Sequence, residues 1–66
     1  MYKFNVNKIK GLLAEYNEMQ IDLAILLCIS KQSINNKLNL KSKFNVDEIA
    51  TIANHYKKDI SYFFEN

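Results

Sequence analysis

The sequence predicts an all-α fold of five short helices in one domain, residues 1–66. Two stretches forty residues apart, FNVNKIKGLLAEY from Phe4 and FNVDEIATIANHY from Phe44, share Phe, Asn, Val, Ile and Tyr at equal spacings, and both open like helices. Apolar residues after each opening recur three and four apart, the spacing that lines one face of a helix. No segment alternates apolar and polar residues for long enough to read as a strand.

The first helix is expected from Val6 to Tyr16. Asn5 is its N-cap, because a short side-chain oxygen accepts from a backbone N–H orphaned in the first turn. Phe4 stands five residues before Ile9, the spacing of a hydrophobic staple. Ile9, Leu12, Leu13 and Tyr16 form the apolar face, and Gly11, the only glycine, is expected to permit close helix packing. A second helix follows from Gln20 to Leu27. After a short turn, a third runs from Lys31 to Leu38 with Ser30 as its cap. The fourth, Val46 to Tyr56, repeats the first: Asn45 caps, Phe44 staples onto Ile49, and Glu48 completes a capping box. Ile49, Ile52, Ala53 and Tyr56 form its apolar face. A last short helix, Ile60 to Phe64, is capped by Asp59, with its aromatic residues against the first and fourth.

Composition excludes several function classes. With 48% hydrophobic residues, 24% charged residues and no proline, the chain reads as an ordered globular domain. Sixty-six residues bury a small core with little room for a substrate cavity, so function is expected at the surface. One cysteine forms no intramolecular disulfide, and Cys28 with the single His55 falls far short of a four-ligand zinc site. No cofactor or metal is expected. His55 has no Cys or Ser partner in its sequence context, and there is no glycine-rich phosphate loop, so the chain does not read as an enzyme. No apolar run approaches the ~18 to 20 residues of a membrane span. Met1 to Asn7 lacks the apolar core of a secretory signal. A cytoplasmic protein with no membrane partner is expected.

Nine basic and seven acidic residues leave a net charge of +2, so the distribution of charge matters more than the sum. No acidic residue lies between Asp22 and Asp47, while Lys31, Lys37, Lys41 and Lys43 fall inside that window. All nine basic residues are lysine, which suits point-charge contacts to phosphate rather than the two-pronged fork of arginine. A solvated basic face is the plain alternative.

Two helices joined by a short turn, the second polar on one face and flanked by lysines, have the layout of a DNA-binding helix-turn-helix. QIDLAILLCISKQSINNKL, from Gln20 to Leu38, resembles that motif in the phage Cro and repressor family, also called the XRE family. There a Gln opens the second helix, a Leu-Ala pair packs in its middle, an aliphatic precedes a Ser or Thr cap, and a buried aliphatic anchors the recognition helix. Gln20, Leu23, Ala24, Leu27, Ile29, Ser30, Ile34 and Leu38 hold those places. DISYFF from Asp59 is similar to the family's last helix, and the step from Ile34 to Leu38 is closer to Cro-like members. The resemblance implies a lambda-repressor-like fold. It also implies a phage or mobile-element transcriptional regulator, acting in a bacterial cytoplasm on double-stranded operator DNA.

Three positions depart from the pattern. Cys28 stands where the family prefers a glycine able to adopt φ > 0, at a strain of about 1 kcal/mol if the geometry is kept. It reads as a small, partly buried turn residue, the alternative being a redox thiol with Lys31 nearby. Met19 stands where the family often places a capping Thr, which makes Asn17 the alternative cap of a helix that begins earlier. Ile21, Ile25 and Leu26 are apolar on the outer face of the second helix. They are expected either under intramolecular cover from Met1 to Phe4 or the aromatic C-terminus, or against a partner.

With Ile34 and Leu38 turned inward, steps of ~100° per residue put Gln32 and Asn36 on the opposite face, flanked by Ser33, Asn35 and Asn39. Amide side chains can bond adenine bidentately in the major groove, so Gln32, Ser33, Asn35 and Asn36 are the expected base readers. Lys31 can reach a guanine edge or a phosphate. The resemblance adds Gln20 as a phosphate contact, aided by the exposed amides of its helix N-terminus. Lys37, Asn39, Lys41 and Lys43 complete the phosphate set, and Lys8 or Lys10 can extend it.

So small a module offers few base contacts, and a homodimer on half-sites ~34 Å apart, weakly associated without DNA, is expected. The family's two-fold contacts point to Tyr62, Phe63 and Phe64, at least one of which belongs in the core. The competing reading is a protein-interaction module, an antirepressor, antitoxin or adaptor, that holds its partner through Ile21, Ile25 and Leu26.

Overall fold

The computed structural model describes residues 3–65. Strand β1 (Lys3–Phe4) leads into α1 (Val6–Glu15), α2 (Gln20–Leu27), α3 (Lys31–Leu38) and α4 (Val46–His55). A 3₁₀ turn (Ile60–Phe63) and strand β2 (Phe64–Glu65) follow. The described residues are therefore mostly helical, with four α-helices rather than five and a small antiparallel ribbon that the sequence did not predict. The expected fifth helix is a single 3₁₀ turn, because from Phe64 the backbone is extended, with φ −114° and ψ 142°, and pairs with β1.

Local chemistry starts the helices as their residues dictate. Asn5 Oδ1 accepts from the Asn7 amide at 3.0 Å, and Ser30 Oγ accepts from the Ser33 amide at 3.0 Å. At α4 the capping box closes, Asn45 Oδ1 accepting from the Glu48 amide at 2.8 Å and Glu48 Oε1 accepting from the Asn45 amide at 3.0 Å. Such caps contribute about 1 kcal/mol each. Met19 has no side-chain oxygen to offer, and Asp22 instead reaches back to accept from the Met19 amide at 2.8 Å. Asn17 does not cap α2, since its φ of 56° makes it the left-handed residue that ends α1. Asp59 caps the 3₁₀ turn through the Ser61 amide at 2.9 Å, a bond that holds its carboxyl below the ordinary aspartate value.

All four helices stop in the same way. Asn17, Cys28, Leu40 and Lys57 have φ between 56° and 63°, and none is glycine. After each, the next amide donates back to a carbonyl five residues earlier: Glu18 to Leu13 at 2.7 Å, Ile29 to Ala24 at 3.0 Å, Lys41 to Asn36 at 2.8 Å and Lys58 to Ala53 at 2.9 Å. This is the Schellman closure, which satisfies orphaned carbonyls and turns the chain sharply. Cys28 therefore turns the chain in a strained conformation, and it is exposed rather than partly buried. Gly11 also differs from expectation, being exposed with nothing within 4 Å of where a Cβ would stand, so no helix packs close against it.

The core draws on every element. Ile9 and Leu12 of α1, Leu23 of α2, Ile34 and Leu38 of α3, Ile52 of α4 and Phe63 of the 3₁₀ turn are all less than 2% exposed. Tyr16, expected on the apolar face of α1, is 49% exposed, with its ring 5.0 Å from that of Tyr56. Tyr56 is buried and donates its hydroxyl to Glu18 Oε1 at 2.6 Å, tying the α1–α2 turn to the end of α4. Burial, then the adjacent Glu18 carboxylate, pushes the Tyr56 phenol well above its ordinary value. Phe4 pairs with Phe64 across the ribbon, its ring 5.6 Å from those of both Phe44 and Phe64. Among the described residues no helix is long and apolar enough to cross a membrane.

Candidate nucleic-acid interface

The three residues Cys28 to Ser30 join α2 to α3, and α2 packs against both α3 and α4. Ile34 and Leu38, 0% and 1% exposed, bolt one side of α3 into the core. The opposite side is an array of linked amides. Gln32 Nε2 donates to Asn36 Oδ1 at 3.2 Å, with Gln32 exposed and Asn36 half-buried, and this bond leaves the Gln32 carbonyl and the Asn36 amide protons unused. That pair offers an acceptor beside donors, the complement of the donor and acceptor on the major-groove edge of adenine.

A second amide chain binds α2 to α3. Asn35 Nδ2 donates to Gln20 Oε1 at 3.2 Å, and Asn39 Nδ2 donates to the Asn35 carbonyl at 3.0 Å and to Asn35 Oδ1 at 3.2 Å. With its oxygen engaged by Asn35, Gln20 keeps its amide protons for an outside acceptor, which is what a phosphate oxygen is. Asn35 is half-buried in this chain, as Asn36 is in the neighbouring pair. Ser33 is likewise half-buried, its Oγ accepting from Ser30 Oγ at 3.0 Å.

The lysines divide into two kinds. Lys31, Lys41 and Lys43 are exposed around α3. Lys31 stands in a first turn that carries no acidic residue, whereas α2 has Asp22 there and α4 has Asp47 and Glu48. A cation in that place opposes the helix dipole, so it is not there to stabilise the helix. Lys37 is different. Its side chain is 15% exposed, and its ammonium lies 3.1 Å from Glu48 Oε1 and 3.0 Å from the Lys43 carbonyl. It is an internal tie from α3 to the start of α4, which engages the ammonium expected at a phosphate.

The residues expected at a dimer contact are scattered by the fold. Phe63 is 0% exposed and belongs to the core, packed there because the 3₁₀ turn lies on α1 and α4. Phe64 is half-buried against Phe4, and Tyr62 is 37% exposed with the ammonium groups of Lys8 and Lys58 at 5.1 and 4.9 Å from its ring centre. A two-fold axis at Tyr62 would gather four ammonium groups.

On α2, Ile21 and Ile25 are 43% and 69% exposed, while Leu26 packs partly into the core. Among the described residues no cover from the termini reaches them, since Phe4 and Phe64 pack on each other; the part of that expectation that falls on Met1 and Tyr2 lies outside the described residues. The structure adds a feature unmarked in the sequence, a groove of about 510 Å³ beside Lys43 between α3, α4 and the ribbon. Its trace in the sequence is Leu40, Phe44 and Val46, apolar residues in and around a lysine-bearing loop. Comparison of the chain with protein-family models, with curated proteins and with solved structures finds no match.

Proposed function

We propose that the protein is a sequence-specific DNA-binding regulator of the Cro and repressor type that reads the major groove with α3. The observation that carries this is the Gln32–Asn36 pair, set opposite the buried Ile34 and Leu38, with exposed lysines at Lys31, at the start of α3, and at Lys41 and Lys43, just after it. Amides read base edges, and exposed lysines and the Gln20 amide hold phosphates and set the register. Two copies on one operator give the affinity that a single short helix does not supply.

Titration of labelled DNA from upstream of the protein's own coding sequence, at two salt concentrations and against unrelated DNA, tests the reading. Operator binding that is tight and site-preferring, and that falls with salt at about −0.9 per neutralised phosphate, supports it. Binding no better than to unrelated DNA overturns it.

Ile25, 69% exposed and one helical turn from Ile21 on α2, favours a second reading in which this face holds another protein. That contact is apolar, so its affinity is expected to respond little to salt.

A further inference from the structure

We infer that the groove beside Lys43 is a binding site for a small organic carboxylate with an apolar body. Its floor is aromatic and aliphatic, formed by Phe4, Phe44, Phe64 and Ile49. At about 510 Å³ it lies within the ~300–1,000 Å³ typical of small-molecule sites.

The rim supplies the charge. Lys43 and the Ser42 hydroxyl border the groove, no acidic residue lines it, and Lys43 has no ion-pair partner among the described residues. Lys37, the other lysine at the rim, is already paired with Glu48. An apolar body meets the floor while a carboxylate meets the Lys43 ammonium and the Ser42 hydroxyl, a charge-assisted contact.

Leu40 points the same way. It is 74% exposed at a φ of 63°, so it combines strained backbone with uncovered apolar surface in a place that Gly or Asn would fill more cheaply. Across the groove, Val46 is 72% exposed. A ligand between them covers both. A second copy of the chain fits less well: docking groove to groove brings Lys43 of each copy together, and like charges set against each other oppose association.

The site stands apart from DNA binding, but its coupling to DNA rests on the reading above. A carboxylate on Lys43 takes a cation that the phosphates use, so ligand and DNA weaken each other by the same factor.

The test titrates the intact chain with octanoate, octan-1-ol and acetate while backbone amide NMR shifts are followed. The expected result is saturable octanoate shifts at Leu40, Lys43, Phe44 and Val46, octanol weaker by about tenfold, and no acetate effect. Lys43→Gln should bring octanoate to the affinity of octanol and leave octanol unchanged. Leu40→Asn, which suits the left-handed position, should weaken both ligands while the spectrum keeps its dispersion. Shifts that never saturate, that centre on Ile21 and Ile25, or that ignore Lys43→Gln overturn the site. Groove shifts that track protein concentration alone also overturn it, in favour of a second copy. Octanoate that saturates the groove without weakening DNA overturns the coupling alone, whereas a chain that binds no DNA removes the DNA reading and leaves the groove judged by its shifts.

Discussion

Lys37 Nζ lies 3.1 Å from Glu48 Oε1, the same oxygen that accepts from the Asn45 amide in the α4 capping box. One carboxylate thus fastens the start of α4 both to its own cap and to α3. With only 15% and 14% of the two side chains exposed, this pair is less screened than a surface salt bridge. Lys37→Met is expected to lower stability by about 1 to 2 kcal/mol in urea denaturation, since Glu48 loses a charged partner. On the DNA reading it leaves the salt slope of binding unchanged, while Lys41→Gln reduces that slope by about 0.9. A reduced slope for Lys37→Met would return Lys37 to the phosphate set.

Gln32→Ala and Asn36→Ala are each expected to remove about 1 to 3 kcal/mol of preference for operator over unrelated DNA, because each deletes one amide from the base-reading pair. Affinity for unrelated DNA should hold, as neither residue carries charge. Competition of operator against unrelated DNA measures the ratio directly. An unchanged ratio in both variants places base reading elsewhere.

The left-handed residues store strain that glycine would release. A non-glycine residue at φ near 57° costs about 1 to 2 kcal/mol, and glycine gives back part of the gain through a freer unfolded chain. Cys28→Gly and Lys57→Gly are each expected to raise stability by about 0.5 to 1 kcal/mol. Gly11→Ala should stabilise by about the same amount for the converse reason, since it sits in a helix with open space at its Cβ position. Urea midpoints decide each case, and a fall in any of the three contradicts the corresponding geometry.

Tyr56 sets an alkaline limit on stability. Its phenol ionises near 10 in the unfolded chain and well above that when folded, because burial and Glu18 both disfavour the phenolate. Below pH ~9 it is protonated in both states and its bond to Glu18 contributes fully. Above pH ~10 the unfolded state ionises while the folded state does not, and stability falls by up to about 1.4 kcal/mol per pH unit. Tyr56→Phe should be less stable than the parent chain at pH 7 by about 1 kcal/mol, with the gap closing above pH ~10. Urea unfolding of both chains from pH 8 to 11 gives the comparison, and a gap independent of pH removes Tyr56 as the cause.

What the sequence determined by itself is what depends on neighbours along the chain. Asn5, Ser30 and Asn45 start helices because an N-cap needs only its own next two or three amides, and the expected bounds of α2 and α3 match the structure residue for residue. The inward turn of Ile34 and Leu38, and with it the placing of Gln32 and Asn36 on the opposite face, follows from helical pitch alone. Strain at Cys28 was likewise legible in the absence of a glycine after α2. Tertiary structure decided whatever required distant residues to meet. The β1–β2 ribbon forms because Phe4 and Phe64 share one cluster with Phe44, and two-residue strands leave no alternation to read. Phe63 rather than Tyr62 entered the core because the packing of α1 and α4 selects one face of a turn whose residues are all apolar or aromatic but for Ser61. Lys37 and Lys43 look alike in the sequence, but the start of α4 brings Glu48 to one and leaves the other at a groove. A charge partner in space, unlike a cap or a helical face, has no fixed spacing along the chain.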